Sequence, residues 1–406
     1  MAKLGVSRGL NYKLSNMISF NRRKFLRYAG LGVLPTLIPF QNNASVAIEK
    51  KPLLPASPIV KFFGDGEVFD PADYLNELQK ANAATAIIRD RDGAGGAVEL
   101  LEKKFAEITG KEKAICMPTG TMANQLALAV LSGENSKVFV QETSHVFRDE
   151  ADAAQTVFQK RLMPLAKGSA YFTAQELQSA IESLKDEEVF KTGIGAVSIE
   201  NPVRRADGKF VPLEEIQKIS AYCRSNKIKL HLDGARIFIA SAWSGVSVKD
   251  YSSYFDTVYI SLYKYFGASS GAVLSGPKEI IDKMAHLVKV HGGSMYSNWP
   301  SAAMALYRME GFENRLHAAI KASDEIFTAL NKVSGIRINP LEGGTNLYAL
   351  ELSKEVDGKK MQETLNMDFN IRIPGPDDKN RSLLTINETL LYQNPAYIIN
   401  AFKKSI

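Results

Sequence analysis

The sequence contains the stretch Ser261-Leu262-Tyr263-Lys264-Tyr265-Phe266-Gly267, a lysine turn between two apolar, strand-like runs. The first run extends from Thr257 to Ile260, and the second from Gly271 to Leu274. A charged lysine between buried strands is costly unless it is paired, solvated or kept neutral for chemistry. Lys264 is therefore either an ordinary loop lysine in solvent or a nucleophilic amine that forms Schiff bases with carbonyl groups.

Strand-like and helix-like segments alternate around this turn. The strand candidates are Ala114 to Met117, Val138 to Gln141, Ala196 to Glu200, Ile228 to Leu232, Val258 to Ser261 and Gly271 to Leu274. The helix candidates between them are Thr121 to Leu131, Thr173 to Leu184, Leu213 to Ser225 and Lys278 to Val290. This alternation predicts an α/β domain with a mostly parallel sheet flanked by helices.

Several polar segments directly follow the predicted strands, at the edge where such sheets bind ligands. They are Pro118 to Thr121, His145, Asn201, Asp233 and Lys264. The first of them opens a helix whose free N–H groups could bind a phosphate, although Thr119 or Thr121 could simply cap the helix. Asp233 is either an N-cap or a carboxylate that keeps a pyridine nitrogen protonated. Together with a lysine, these are the parts that a pyridoxal-phosphate site requires.

These segments resemble the threonine aldolase branch of the β-eliminating lyase family, whose members are pyridoxal-phosphate enzymes of the aspartate-aminotransferase-like fold, fold type I. The matching residues are Thr119 to Asn124, Ser144 to Glu150, His231 to Arg236 and Ser261 to Gly267. The match runs from about Ala97 to about Tyr307. The resemblance implies that the large domain, residues 97–300, binds the cofactor. The pattern changes after Trp299-Pro300, where a long helix is predicted from Ser301 to Val333, straight or bent at Gly311. Strand-like and helix-like runs follow it, which indicates a smaller C-terminal α+β domain over residues 301–406.

The resemblance also implies roles for individual residues. Lys264 would hold the cofactor as a Schiff base, and Asp233 would pair with the pyridinium nitrogen. Arg236 would reach the ring 3-oxygen, and His145 would stack on the ring. Gly120 and Thr121 would bind the phosphate. His145 is also the candidate catalytic base, unless it is a loop histidine without a role. Glu150 would position a water or act as a base, or it is an exposed helix residue. Arg372 and Arg381 are the candidates for binding the substrate carboxylate.

The reaction implied by the resemblance is cleavage of the Cα–Cβ bond of a small β-hydroxy amino acid, which gives glycine and an aldehyde. β-Elimination and transamination use the same scaffold and remain alternatives. An exported, non-catalytic protein with the same fold is a further alternative. The family assembles its active site between subunits, which implies a homodimer or a homotetramer.

Four departures from the family pattern are visible. The segment Gly292-Gly293-Ser294-Met295 lacks the family's phosphate-binding arginine, and no Arg-Ser-Asp-Thr pattern occurs near residues 62–66. Arg381 stands one residue out of step with the family's carboxylate-binding arginine. Aromatic side chains, Tyr263 and Tyr265, flank the lysine where the family has small residues.

Charge is distributed unevenly along the 406 residues. Seven of the 50 basic residues and none of the 44 acidic residues lie in residues 1–47, which leaves a net charge of −1 on the rest. The formal charge of +6 therefore belongs to the leader and gives no support to nucleic-acid binding.

The leader has the order of an export signal. A basic region with Arg22 and Arg23 resembles a twin-arginine motif, an apolar run covers Tyr28 to Phe40, and small residues follow at Ala44 to Ala47. The apolar run is too short to span a membrane. These features predict a signal peptide over residues 1–47 and an N-terminal linker and arm over residues 48–96. They also predict a periplasmic location, with no stable insertion of the protein in the membrane after the signal is cleaved. A basic tail or an interfacial anchor is the alternative.

The sequence gives no metal-site pattern. Its five histidines lack metal-ligand spacing, and two cysteines cannot form a zinc site of thiolates alone. Cys116 and Cys223 lie in separate apolar segments and are predicted to be reduced core thiols.

Overall fold

The computed structural model describes residues 58–406. The predicted signal peptide, residues 1–47, lies outside the described residues. Both cysteines are free thiols, as predicted. Within the described part of the chain, no helix combines the length and the apolar character that a membrane crossing requires.

A seven-stranded sheet forms the centre of the large domain. Its strands are β2 (Lys113–Met117), β3 (Lys137–Gln141), β4 (Arg161–Leu165), β5 (Ile194–Glu200), β6 (Lys229–Asp233), β7 (Thr257–Ser261) and β8 (Ala272–Gly276). Their order is β2-β8-β7-β6-β5-β3-β4, and only β8 runs antiparallel to its neighbours. This confirms the predicted mostly parallel sheet.

Helices cover both faces of this sheet or connect its strands. They are α1 (Pro71–Ala84), α2 (Gly96–Thr109), α3 (Gly120–Ser132), α4 (His145–Arg148), α5 (Ala153–Phe158), α6 (Ala174–Glu187), α7 (Leu213–Ser225), α8 (Ile237–Ser244), α9 (Val248–Ser253), α10 (Lys278–Val290) and α11 (Trp299–Met309). The helices α7 and α10 have the predicted bounds.

The two faces of the sheet are both apolar, as sequence periodicity requires for a sheet covered on both sides. In β3, for example, Phe139 packs into the cluster on one face, whereas Val138 and Val140 pack into the cluster on the other face. Because both faces are covered by helices, the sheet is accessible to small ligands only at its strand ends.

The C-terminal part forms a smaller sheet domain. It contains α12 (Phe312–Leu330), β9 (Ile336–Pro340), β10 (Leu347–Leu352), α13 (Gly358–Phe369), β11 (Ile371–Arg372), β12 (Arg381–Thr385) and α14 (Pro395–Lys404). The strands β12, β10 and β9 form an antiparallel sheet. A short N-terminal strand, β1 (Val60–Lys61), pairs in parallel with β11.

Some elements were not predicted from the sequence, among them the strands β4 and β9. The helix predicted from Ser301 to Val333, straight or bent at Gly311, is two helices, because Gly311 adopts a left-handed conformation (φ +65°) at the start of α12. A left-handed residue cannot continue an α-helix, and glycine adopts this conformation without a Cβ penalty.

Candidate active site

The candidate site lies where several parallel strands end. The last residues of β5 and β6, Glu200 and Asp233, are direct partners in the sheet register. His145 begins the helix that follows β3, and Lys264 follows β7. The strand β2 is also parallel to β7, since both are antiparallel to β8 between them, so the turn into α3 lies at the same edge.

Lys264 lies in an environment that favours its neutral amine. Burial, and then the neighbouring Arg236 charge, lowers the pKa of Lys264 to about 8. A lysine with this pKa is partly neutral, and therefore nucleophilic, near neutral pH.

The aromatic residues beside Lys264 have different surroundings. Tyr265 is fully buried, stacks on Phe312 at 5.5 Å and contacts Phe238 edge-on at 5.6 Å between ring centroids. Tyr263 is 42% exposed. Tyr265 therefore anchors the lysine turn in the core, and Tyr263 is the aromatic neighbour that remains accessible.

Arg236 is bound by a residue from the N-terminal arm. Its Nε donates to Oδ2 of Asp65 at 2.9 Å, and the two side chains are only 18% and 16% exposed. Burial opposes the Arg236 charge, but Asp65, together with Glu200 and Asp233, outweighs this effect, and the pKa of the guanidinium is raised. Next to Asp65, a Cβ at Gly66 would lie 2.8 Å from the Cα of Tyr265. The arm therefore passes directly against the lysine turn.

A buried amide joins the acidic residues of the site. Nδ2 of Asn124 donates to Oε1 of Glu150 at 2.8 Å and to Oδ2 of Asp233 at 3.0 Å. The other oxygen of Asp233 accepts the N–H of Ala235 at 3.2 Å. One side-chain atom each from His145, Glu150 and Asp233 lie within 4.8 Å of one another. Three residues that were predicted separately are thus brought together.

Glu150 determines which nitrogen of His145 is free. Nδ1 of His145 lies 3.1 Å from Oε1 of Glu150, a carboxylate that can only accept when ionised. Nδ1 therefore carries a hydrogen, and Nε2 is the nitrogen that can take up a proton. The hydrogen bond that Nδ1–H donates to Glu150 raises the pKa of His145, against the effect of burial.

Glu200 fixes the backbone of this segment. Its carboxylate accepts the N–H of His145 at 2.7 Å and the N–H of Arg204 at 2.9 Å. Burial, and then the neighbouring Asp233, raises the pKa of Glu200 to about 7. Glu200 thus links the loops after β3 and β5.

The turn before α3 exposes two unpaired N–H groups. Oγ1 of Thr119 accepts the N–H of Met122 at 3.1 Å, so Thr119 is the N-cap. The N–H groups of Gly120 and Thr121, at the first two helical positions, have no partner within the helix. A Cβ at Gly120 would lie 2.0 Å from the hydroxyl oxygen of Tyr259. Only glycine fits here, and the free N–H groups suit an anion.

The described contacts do not bring the two predicted carboxylate-binding arginines to this cluster. Arg381 is exposed and pairs with Asp377 at 3.1 Å, and Arg372 donates to Asn366 at 3.1 Å. Neighbouring residues of a strand point to opposite faces, so the one-residue offset of Arg381 places it on the exposed face. The next residue, Ser382, faces inward and donates to the carbonyl of Pro374.

Sequence reasoning did not single out three residues of the site. Glu200 ends a strand that was correctly predicted, but the residue proposed for the site was its neighbour Asn201. The side-chain oxygen of Asn201 instead accepts the N–H of Val211. In the sequence analysis, Asn124 appeared only as the last residue of the matching segment Thr119 to Asn124, without a role of its own. Asp65 gave no sequence signal, since it reaches Arg236 from 171 positions away.

Comparison with known proteins gives one family. Residues 75–353 match the family described as Beta-eliminating lyase. The low-specificity L-threonine aldolase of Candida albicans is 33% identical over 279 residues, which cover 68% of this chain and 73% of that protein. The low specificity L-threonine aldolase of Saccharomyces cerevisiae is 33% identical over 284 residues, 68% of this chain and 70% of that protein.

Solved structures share the fold. A proposed aromatic amino acid beta-eliminating lyase/threonine aldolase from Exiguobacterium sp. 255-15 superimposes with a TM-score of 0.70 at 23% identity, over 86% of this chain and 98% of that chain. This likeness confirms the fold class predicted from the sequence.

Proposed function

Because the chain belongs to the beta-eliminating lyase family, we propose that it is a pyridoxal-phosphate-dependent aldolase that cleaves the Cα–Cβ bond of a small β-hydroxy amino acid such as threonine. The products are glycine and an aldehyde. The observation that carries this proposal is the cluster of His145, Glu150 and Asp233 at the strand ends that also present Lys264. The threonine aldolase relatives support the choice of reaction.

The residues present fit pyridoxal phosphate. The free N–H groups of Gly120 and Thr121 suit its phosphate, and the carboxylate of Asp233 suits its ring nitrogen. The amine of Lys264 suits its aldehyde, and Arg236 is a buried cation available to its ring oxygen. When bound, the cofactor supplies an electron sink for the bonds at the substrate Cα.

His145 is the base that this arrangement supports. Its Nε2 accepts the proton of the substrate β-hydroxyl, whose oxygen becomes the aldehyde carbonyl as the Cα–Cβ bond breaks. The electron pair stays at Cα, which takes up a proton to give glycine. The imidazolium formed at His145 is stabilised by Glu150, whose oxygen accepts from Nδ1.

The experiment that tests this function is product analysis with purified, cofactor-loaded protein. Threonine is expected to give glycine and acetaldehyde in equal amounts, and the Lys264→Ala variant is expected to give neither. Pyruvate and ammonia from serine, without glycine from threonine, would instead establish β-elimination, the reaction for which the family is named. Keto acid formed from threonine only with an added amino-group acceptor would establish transamination.

We propose further that the protein is a homodimer or a homotetramer. Apolar side chains that are exposed on the described chain, among them Leu75, Ile88 and Tyr296, support a self-association surface. Light scattering coupled to size-exclusion chromatography measures the molar mass in solution. A mass near 45 kDa per particle would exclude both assemblies.

We also propose export to the periplasm through the twin-arginine pathway. The support is the sequence order of residues 1–47, with Arg22 and Arg23 before an apolar run. Fractionation of cells that express the full chain is expected to place it outside the cytoplasm. The double variant Arg22→Lys, Arg23→Lys is expected to remain inside, and unchanged export of this variant would refute the proposed route.

A further inference from the structure

A fully buried histidine lies behind the acidic cluster. His231 is the middle residue of β6, two positions before Asp233, and its side chain is not exposed. Its Nε2 lies 3.0 Å from Oδ1 of Asn124, and its Nδ1 lies 2.8 Å from Oγ1 of Thr257 on β7. His231 thus joins a strand threonine to the amide that contacts both site carboxylates.

The hydrogen positions in this network follow from the carboxylates. Ionised Glu150 and Asp233 can only accept, so the side of Asn124 that faces both of them must be the NH2 group. The carbonyl oxygen of Asn124 then faces His231, which must donate to it from Nε2. The neutral ring has no hydrogen left on Nδ1, so the Thr257 hydroxyl donates to Nδ1.

The reversed orientation of the Asn124 amide would require additional protons on the two carboxylates. If the amide were reversed, its oxygen would face the oxygens of Glu150 and Asp233, and both carboxyl groups would have to be protonated. His231 would then have to accept from Asn124 through Nε2. Burial lowers the pKa of His231 to about 4, which leaves the ring neutral and in need of one donor and one acceptor partner. The network supplies one of each.

We propose that Asn124, held in one orientation by the Nε2–H tautomer of His231, is a positioning residue that places the carboxylates of Asp233 and Glu150 for the cofactor and for His145. A side chain with two donor hydrogens lets two buried carboxylates share one partner without a charged residue between them. The positioning role of Asn124 rests on the proposed function, whereas the orientation of its amide is a property of the cofactor-free protein.

The first test is NMR of the cofactor-free protein labelled with 15N in its histidines. The signal of His231 is assigned by its loss in a His231→Gln variant. Between pH 6 and 8 its nitrogen shifts are expected to show a hydrogen on Nε2 and none on Nδ1. A hydrogen on Nδ1 in the unmodified protein would overturn the proposal.

The second test changes the donor group without changing its shape. Asn124→Asp replaces the NH2 group by an acceptor and is expected to weaken binding of added pyridoxal phosphate at least tenfold, measured by absorbance titration. The same variant is expected to shift the titration of His145 in the cofactor-free protein, because Glu150 then shares its site with a third carboxyl group. The matched control is Asn76→Asp, which places the same change on the exposed face of α1.

A third variant keeps the proposal testable if Asn124→Asp does not fold. Thr257→Val removes the hydroxyl but keeps the branched shape, and His231 is expected to keep the Nε2–H form, because the carbonyl oxygen of Asn124 still requires a donor. Thr257→Ser, which retains a hydroxyl, is the control. A mixture of both tautomers in Thr257→Val would mean that Thr257, and not Asn124, sets the tautomer, and it would contradict the proposal, as would cofactor affinity within twofold of the unmodified protein in Asn124→Asp. Failure to cleave threonine would refute the proposed function and leave these measurements unaffected.

Discussion

The imidazole of His145 and the carboxylate of Glu150 form a hydrogen-bonded pair in which one side chain is partly exposed and the other is buried. Nδ1 and Oε1 are 3.1 Å apart, the His145 side chain is 30% exposed, and that of Glu150 is 2% exposed. A buried carboxylate thus orients a histidine that reaches the accessible part of the site. The same relation between a buried acid and an imidazole fixes the tautomer of catalytic histidines elsewhere.

Glu150→Gln removes the charge from this pair and keeps its shape. The hydrogen bond to Glu150 is the main cause that raises the pKa of His145, so that pKa is expected to fall in the variant. A base must be unprotonated, and the acid limb of kcat/KM is therefore expected to move to lower pH, with kcat reduced about tenfold or more. The measurement is a pH–rate profile with threonine, and Glu99→Gln on the exposed face of α2 is the control. An acid limb that does not move would show that His145 is not the base.

Lys264→Met is expected to stabilise the cofactor-free protein. Lys264 has a folded pKa of about 8, below its unfolded value, so below pH 8 the charged amine is held in a partly buried site at a cost of about 3 kcal/mol. Between the two pKa values only the unfolded state keeps the proton, and stability rises with pH. The gain from the substitution should therefore be largest at or below pH 8 and vanish above the unfolded pKa.

Urea unfolding of the cofactor-free protein at several pH values measures this effect. Lys103→Met, on the exposed face of α2, is the matched control and should change the free energy of unfolding by less than about 0.5 kcal/mol. A gain in Lys264→Met that is the same at every pH would mean that methionine packing, and not the removed charge, is its source.

Gly120→Ala tests the turn before α3. The new Cβ would lie 2.0 Å from the Tyr259 hydroxyl oxygen, and displacing that buried ring is expected to cost about 1 to 3 kcal/mol of stability. The affinity for pyridoxal phosphate should fall with it, because the N–H groups of the turn move. Gly375→Ala is the control, since its Cβ would meet Gln362 at an ordinary 3.4 Å. Unchanged cofactor affinity in Gly120→Ala would remove the turn from the cofactor site.

Arg381→Ala tests whether this arginine binds the substrate. The exposed guanidinium is held by Asp377 on the small domain. Because no described contact joins it to the active-site cluster, the KM for threonine is expected to stay within twofold. A tenfold rise in KM would restore Arg381 as the residue that binds the carboxylate.

The fold could be predicted from the sequence where local patterns determine structure. Largely apolar runs of four or five residues predicted the central strands, and α7 and α10 had clear amphipathic periods. The strand β4 was missed because it lies at the sheet edge, where Arg161 and Pro164 interrupt its apolar pattern. Edge strands commonly carry charged residues and proline, which removes the signal used to find them.

The site residues likewise fall into those that local sequence patterns predict and those that depend on long-range packing. Lys264, Asp233 and His145 could be found because each lies at the end of a strand or within a few residues after it, and parallel strands place their ends together. The Asp65 contact with Arg236 could not be found, because it depends on how the N-terminal arm packs on the large domain. Pairing across 171 positions leaves no local pattern in a single sequence.

Asp65→Asn tests whether the arm belongs to the active site. The variant leaves the largely buried guanidinium of Arg236 without its charged partner, and a hydrogen bond to a charged group contributes about 1.5 to 3 kcal/mol. We expect a loss of stability of this order in urea unfolding, together with weaker binding of pyridoxal phosphate, since Arg236 is the cation next to Lys264. Asp73→Asn on the exposed face of α1 is the control, and Asp65→Glu should recover part of the loss. If Asp65→Asn unfolds like the control but binds the cofactor weakly, the pair serves the site alone. If both quantities match the control, the contact has no energetic role and the arm is not part of the active site.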